Sequence, residues 1–183
     1  LYLAKAVYYI EQMLRAHGYD SLLSCTGYGL ESKAASMNLL ITKKVDSIVL
    51  VGSNFVYEKE QENSYIAQAA AQVPVMLLNA SLDVPNVYSV MSDDYTSMYE
   101  ATRQMSASGV EDILYFYNSD SYSGKRKLSG FRAAMEEASG ERGPLIEFYH
   151  GSHEDIHAMI RHLEALRAKG IGFHGIIAAD DTL

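Results

Sequence analysis

Short apolar runs alternate with amphipathic segments along the chain, and this alternation restricts the fold more than any other feature of the sequence. Residues 46–51, 112–117 and 145–149 have the length and apolar content of buried strands, and each is followed by a segment with apolar residues at helical spacing. Strands that alternate with helices form βαβ units, whose right-handed crossovers produce a parallel sheet. The sequence therefore predicts an α/β protein.

The predicted elements divide into two groups. The predicted helices are 2–17, 30–43, 58–72, 94–108, 124–138 and 153–169, and the predicted strands are 21–26, 46–51, 75–78, 87–91, 112–117, 145–149 and 174–179. Two strands follow each other without a helix around 80–93, so we expect the chain to pass there from one subdomain, 1–91, to a second, 92–183. The chain starts with a helix and ends with the pattern of a new one, which predicts truncation at both ends.

The composition argues against several classes of protein. Of the 183 residues 48% are hydrophobic, which is enough to bury a core, but no apolar run reaches the roughly 18 residues of a membrane span. The net charge of −8 disfavours direct binding to nucleic acid, since an acidic surface repels phosphates. The N-terminus lacks the pattern of a signal peptide. The single cysteine, Cys25, lies in a predicted strand, so we expect a buried, inert thiol.

One motif indicates a metal enzyme. The sequence His-Glu-Asp-Ile-His from His153 to His157 has the spacing by which two histidines on one helix face bind zinc, with Glu154 as the base. Ser152 and Asp155, however, have the spacing of a capping box, which predicts His153 in the first helical turn. No third ligand is evident. A zinc hydrolase is therefore kept only as the last of the functional hypotheses given below, and we predict no metal site.

Two pairs of carboxylates lie where a predicted strand gives way to a helix. These pairs are Asp93–Asp94 and Asp180–Asp181. Aspartate is a preferred N-cap residue, because its side chain accepts hydrogen bonds from the free amides of the first helical turn. We therefore expect at least one residue of each pair to cap a helix.

A polar segment follows the strand 112–117 and opens the helix 124–138. It contains Ser121 and Ser123 and continues into the basic triplet 125–127. In an open parallel sheet, ligands bind outside the carboxyl ends of the strands. The segment therefore predicts part of a binding site. No combination of nucleophile, base and oxyanion donors is evident, so we expect a binding protein rather than an enzyme.

Five motifs in order resemble one family along essentially the whole chain. They are Arg15–Tyr19, Lys44–Leu50, Val73–Leu78, Lys127–Arg132 and Ala178–Asp181. Together they resemble the effector-binding domain of the lactose-repressor/galactose-repressor (LacI/GalR) family of bacterial transcription regulators. The resemblance implies a periplasmic-binding-protein type I fold, with two doubly wound parallel-sheet subdomains and a ligand cleft between them. It also implies a further strand and a DNA-binding helix-turn-helix before residue 1.

The resemblance places the ligand-binding positions of the family on particular residues of this chain. These are Tyr2 (or Leu3), Asn79, Ser121, Ser123, Lys127, His153 and Asp180. Three of them depart from the family pattern: Lys127 replaces an arginine, His153 replaces a large aromatic residue, and Asp180 replaces an asparagine. We expect that Asp180 can pair with Lys127. Serine, asparagine, lysine and aspartate together supply the donors and acceptors that a polyol needs.

The resemblance implies the sensing domain of a transcriptional repressor. A small effector, a sugar, would close the cleft and alter DNA binding by a module outside this chain, through a homodimer in the cytoplasm and without a cofactor or a membrane. The alternative hypothesis is a secreted or periplasmic sugar-binding protein of the same fold. The third is the zinc hydrolase that would use His153, Glu154 and His157.

Overall fold

The computed structural model describes residues 2–139, 143–152, 154–180 and 183. The chain divides into two compact units, Leu1–Ser92 (unit 1) and Asp93–Leu183 (unit 2). The division falls one residue after the boundary expected from the sequence. Each unit contains a three-stranded parallel sheet.

Unit 1 contains two long helices, a sheet of short strands and a short helical segment. In chain order its elements are α1 (Tyr2–Ala16), α2 (Leu30–Thr42), β1 (Ile48–Val51), a 3₁₀ helix (Glu60–Asn63), α3 (Ser64–Ala70), β2 (Val75–Leu78) and β3 (Val87–Val90). The sheet order is β1-β2-β3, with Ile48 opposite Val75 and Val75 opposite Val87. Alternate residues of β1 and β2 are buried, and Met37 of α2 and Ile66 of α3 are buried too.

Unit 2 is built around one fully covered strand. Its elements are α4 (Asp94–Ala107), β4 (Ile113–Tyr117), α5 (Tyr122–Ser139), β5 (Leu145–Phe148), α6 (Ile156–Ala168) and β6 (Gly175–Ala178), and the sheet order is β5-β4-β6. Residues 113–116 of β4 are all buried, as expected for a parallel strand with helices on both faces. On one face Ile113 and Tyr115 pack with Phe131 of α5, and on the other Leu114 packs with Leu166 of α6.

Helices α4 and α5 are in close contact because of a glycine. A Cβ atom at Gly130 would overlap the carbonyl oxygen of Tyr95 and lie 3.1 Å from the amide nitrogen of Tyr99. Only glycine lets the backbones of the two helices approach so closely. Further along, the hydroxyl of Tyr99 donates a hydrogen bond of 2.6 Å to the Oε2 atom of Glu137.

The predicted strand 21–26 is wrong. In the structure this segment belongs to no sheet, and Leu22, Leu23 and Cys25 are exposed. The predicted burial of the Cys25 thiol is therefore wrong as well. A strand needs a neighbour for its backbone hydrogen bonds, and β1, the nearest strand in the chain, pairs only with β2 among the described residues.

Two predicted helices begin well before the helices of the structure, while the bounds of the others agree closely. The predicted helix 58–72 is instead a 3₁₀ turn followed by the shorter α3, because the side chain of Asn63 binds the backbone of Tyr57 and holds a tight turn there. The predicted helix 153–169 begins only at Ile156. Its N-cap is Asp155, whose Oδ1 accepts a 2.9 Å hydrogen bond from the amide of Ala158. The predicted capping box at Ser152 and Asp155 is therefore wrong.

Some large apolar side chains of the helices are exposed. Examples are Met13 of α1 and Ile156 and Ile160 of α6. Within the described ranges, no helix is both long and apolar enough to cross a membrane.

Candidate functional site at the carboxyl ends of the strands

Ser121 directly precedes α5, after the carboxyl end of β4. Its Oγ accepts a 3.2 Å hydrogen bond from the amide of Gly124, and its carbonyl accepts one from Lys125. This is the geometry of a serine N-cap, which satisfies an amide that the helix leaves without a partner. A serine that accepts in this way can still donate its own hydroxyl hydrogen. Ser121 therefore has a structural role and can also act as a donor to a ligand.

Ser123 connects the first turns of α5 and α4. Its hydroxyl donates a 2.6 Å hydrogen bond to Oδ2 of Asp94, the first residue of α4. Because an ionised carboxylate only accepts hydrogen bonds, Ser123 is the donor, and its oxygen keeps lone pairs that can accept from a ligand. Ser121 and Ser123 thus offer one donor and one acceptor side by side.

At least one residue of the Asp93–Asp94 pair was predicted to cap a helix, and neither was predicted as a site residue. The structure assigns the cap to Asp93, whose Oδ1 accepts a 3.2 Å hydrogen bond from the amide of Thr96. Hydrogen bonding to Thr96, followed by the charge of Arg126, lowers the pKa of Asp93. Asp94 does not cap the helix and accepts the hydrogen bond from Ser123 instead. The sequence feature that could have indicated this role is the presence of a second acid next to the cap.

Lys127 reaches from α5 to the end of β6. Its Nζ donates a 2.8 Å hydrogen bond to the carbonyl oxygen of Ala179, the residue before Asp180. The structure therefore brings Lys127 and Asp180 to the same end of the sheet. In the structure, Lys127 binds the backbone carbonyl of Ala179, next to Asp180.

Carboxylates and cations lie together at this edge of unit 2. Arg126 forms an ion pair with Asp93, with 3.5 Å between Nη2 and Oδ1. Lys127 donates to a carbonyl, as described above. Asp94 and Asp180 lie at the same strand ends. The edge therefore combines hydroxyls, carboxylates and cations, and the buried Nε of Arg126 has no hydrogen-bond partner among the described residues.

Tyr115 is a fully buried tyrosine beneath this edge. Its ring stacks on Phe131, with 4.9 Å between the ring centres, while its hydroxyl has no hydrogen-bond partner among the described residues. Burial raises its pKa, and the charges of Tyr117, Asp180 and Asp94 raise it further. The hydroxyl therefore stays protonated as a donor without an acceptor.

We expect Tyr115→Phe to raise the free energy of unfolding by about 1 kcal/mol, because an unpaired buried hydroxyl costs energy that phenylalanine does not. Urea denaturation followed by circular dichroism measures this change. The matched control is Tyr65→Phe, since the buried hydroxyl of Tyr65 donates a 2.6 Å hydrogen bond to the carbonyl of Phe55. In Tyr65→Phe the free energy of unfolding should fall by about 1 kcal/mol. An equal decrease in the free energy of unfolding in Tyr115→Phe and Tyr65→Phe would show that the Tyr115 hydroxyl has a hydrogen-bond partner.

Asn79 lies at the corresponding end of the sheet in unit 1. It follows β2 directly and has a positive φ of 62°, a conformation that asparagine tolerates better than most residues. Its amide donates a 2.8 Å hydrogen bond to the carbonyl of Val90, and its Oδ1 lies 3.5 Å from the hydroxyl of Ser92. These contacts fix the backbone of Asn79 at the carboxyl end of the strands.

The remaining predicted site residues are only partly described. His153 and the side chain of Tyr2 lie outside the described part of the chain, and Leu3, the alternative to Tyr2, is 48% exposed. Because α6 begins at Ile156, Glu154 of the zinc motif precedes the helix. In the described ranges no group of three His, Cys, Asp or Glu side chains could hold a metal ion.

The fold and these strand ends define the class of the protein. Parallel α/β sheets in two units, with polar side chains at the carboxyl ends of the strands, are the periplasmic-binding-protein type I fold. Residues 2–145 match the family described as periplasmic binding proteins and sugar binding domain of LacI family. The chain therefore belongs to this family, as its sequence motifs predict.

One relative is similar along the whole chain. A helix-turn-helix-type transcriptional regulator of Lachnoclostridium phytofermentans is 41% identical over 183 residues, which is 100% of this chain and 54% of the relative. The chain thus spans about half the length of that protein.

Many solved structures share the fold, including two regulators with a bound ligand. The Lac repressor dimer bound to operator and the anti-inducer ONPF superposes with a TM-score of 0.80 at 16% identity, covering 100% of this chain and 62% of that one. The Cra regulator from Pseudomonas putida in complex with fructose 1-phosphate has a TM-score of 0.73 at 19% identity. The match covers 96% of this chain and 63% of that one.

Proposed function

We propose that this chain is the effector-sensing part of a bacterial transcriptional repressor, and that its effector is an uncharged polyhydroxylated molecule, a sugar. The main support is the hydrogen-bonding arrangement of Ser121, Ser123 and Asp94 at the start of α5 and α4. A sugar hydroxyl both donates and accepts, and the two serines offer the matching acceptor and donor. Asn79 and Lys127 would contribute further polar contacts, as would Tyr2, His153 and Asp180.

The charges at the strand ends favour an uncharged effector. A phosphorylated sugar needs cations that are free to bind its oxygens. Arg126 instead forms an ion pair with Asp93, and the ammonium of Lys127, which gives one of its three hydrogens to the carbonyl of Ala179, supplies a single positive charge. A phosphate would also lie near the carboxylates of Asp94 and Asp180 and would be repelled by them. Fructose 1-phosphate, the ligand of the Cra structure, is therefore not the kind of effector that we propose for this chain.

The proposed regulation of transcription needs a DNA-binding module in addition to this chain. The chain carries a net charge of −8, which disfavours contact with phosphates. We propose that a helix-turn-helix module outside it binds the operator, that the protein is a homodimer in the cytoplasm, and that effector binding shifts the population of a DNA-binding conformation. The 41% identical relative, described as a helix-turn-helix-type regulator, supports a repressor over a secreted sugar-binding protein. No chemical step on the effector is part of this proposal.

The effector class is tested by thermal shift with matched pairs of ligands. Fructose and fructose 1-phosphate form one pair, glucose and glucose 6-phosphate another, and neutral pentoses and disaccharides extend the panel. A ligand that binds only the folded state raises the unfolding temperature. We expect at least one neutral sugar to do so and its phosphorylated partner to have no effect. Stabilisation by sugar phosphates alone would contradict the uncharged effector, and no response to any sugar would contradict the proposed function.

We expect Lys127→Met to weaken binding of the neutral sugar found in that panel by about tenfold or more, which is the value of one charged hydrogen bond. Methionine keeps the unbranched stem, so the helix should remain folded. Isothermal calorimetry measures the affinity. The control is Lys169→Met, at the other end of the sheet, where the C-cap of α6 precedes β6. Unchanged affinity in Lys127→Met, or an equal loss in the control, would remove Lys127 from the site.

A further inference from the structure

Lys33 is a lysine buried inside unit 1. It lies in α2 and is 2% exposed, although lysine is almost never fully buried in proteins unless it is paired. Its Nζ donates hydrogen bonds to the carbonyl oxygen of Asn54 and to the hydroxyl of Tyr57, the second at 2.8 Å. The same atom lies 4.7 Å from the ring centre of Tyr57 and 5.4 Å from that of Phe55. One ammonium thus contacts three residues of a single segment.

The segment that Lys33 contacts, residues 52–59, is named the β1 loop because it directly follows β1. It contains no helix or strand. Side chains from the following elements nevertheless bind its backbone. Asn63 both accepts from the amide of Tyr57 and donates to its carbonyl, each at 2.8 Å, and Tyr65 donates to the carbonyl of Phe55 at 2.6 Å. The β1 loop is therefore held in one conformation by side chains.

The stability of the fold alone does not account for a lysine at this position. Removing an ammonium from water is costly, and an apolar side chain of similar length would fill the space without that cost. The bonds that Lys33 makes in return are specific, because they fix a backbone carbonyl and a phenol in one orientation. The loop that they fix lies at the carboxyl end of β1, and in parallel sheets this end is where ligands bind.

We propose that Lys33 is a positioning residue, which holds the β1 loop so that the half-buried polar side chains of Ser53 and Asn54 are presented to the effector. This inference rests on the proposed function, since it assigns the effector a second group of contacts in unit 1. Lys33 itself touches only the protein and acts through the loop.

The test compares hydrogen exchange and sugar affinity in four forms of the chain. Lys33→Met removes the ammonium and keeps an unbranched side chain. Lys33→Arg keeps the positive charge and the donors. Met37→Ala is the matched control for stability, because Met37 is equally buried one turn further along α2. Exchange is measured by mass spectrometry on peptides that cover the β1 loop and, separately, on peptides that cover β1 and β2.

In Lys33→Met we expect exchange in the β1 loop to become at least about tenfold faster, the factor that one charged hydrogen bond is worth. Exchange in β1 and β2 should stay as in the wild type. Affinity for the neutral sugar should fall by a similar factor, and Lys33→Arg should restore most of both losses. Met37→Ala should lower the unfolding temperature without accelerating exchange in the loop selectively.

Three outcomes would overturn the inference. Loop exchange in Lys33→Met within about twofold of the wild type would show that the ammonium does not position the loop. The same selective loosening in Met37→Ala would show a general loss of stability. A loosened loop with unchanged sugar affinity would show that the loop is not part of the site. If the wild type binds no sugar, the proposed function fails instead, and the effector contact assigned to Ser53 and Asn54 fails with it.

Discussion

Replacing Phe131 by alanine is expected to lower the free energy of unfolding of unit 2 by about 3–5 kcal/mol, the usual cost of removing a buried phenylalanine ring. Phe131 is 0% exposed and lies in the cluster with Met98, Ile113, Tyr115 and Met135. Its ring stacks on that of Tyr115. Together with Met135 of the same helix, this side chain packs α5 against the sheet, and its loss leaves a cavity that the surrounding residues fill only in part.

The measurement must distinguish the two units. The chain has 14 tyrosines and no tryptophan, so intrinsic fluorescence reports on both units at once. Hydrogen exchange in a urea series, followed on peptides from β4 and from β2, gives a separate free energy for each. Phe131→Leu serves as the control, because it keeps most of the volume and should cost about 1.5 kcal/mol or less. A loss in Phe131→Ala no greater than in Phe131→Leu would show that the ring contributes little to the core.

Replacing Gly130 by alanine is expected to cost about 2–3 kcal/mol, even though alanine favours helices by about 1 kcal/mol over glycine. The added Cβ would overlap the carbonyl oxygen of Tyr95. Because this neighbour is backbone rather than a flexible side chain, α4 and α5 would have to move apart. Their separation would also disturb the hydrogen bond between Ser123 and Asp94.

Two readouts test the effect of Gly130→Ala. Unfolding of unit 2 should become easier, and affinity for the neutral sugar should fall. The control is Gly172→Ala, since a Cβ there would meet no atom within 4 Å. If Gly130→Ala stabilises the protein as helix propensity alone predicts, the close approach of the two helices in the structure is wrong.

The fold could be predicted from the sequence wherever a local pattern was sufficient. The strand β2, Val75–Leu78, has the predicted bounds because a short apolar run after a proline is unambiguous. Residues 21–26 have a similar composition, but a strand also needs a pairing partner, which local sequence does not reveal. The start of α6 was misplaced because Ser152 and Asp155 are both good caps. The structure shows Asp155 in that role.

The sequence predicted that the candidate site residues lie at the ends of strands, but it did not predict the hydrogen bonds between them. Ser121 and Lys127 were expected at the end of a strand, and the structure places them there. The pairing of Ser123 with Asp94 joins residues 29 positions apart, so no local motif indicates it. Lys33 was missed for a related reason. Nothing in the sequence of α2 distinguishes a buried lysine from an exposed one, since burial depends on how the β1 loop folds over it.

The contacts along α4 and α5 have a mechanical consequence. The two helices are joined at Ser123 and Asp94, at Gly130 and Tyr95, and at Glu137 and Tyr99. Glu137 lies 14 residues beyond Ser123, about 20 Å along the axis at the rise of an α-helix. On α4 the same three contacts all lie within the first two turns, between Asp94 and Tyr99. The start of α4 is therefore fixed to most of the length of α5, and we expect a displacement of the two serines to move both helices together.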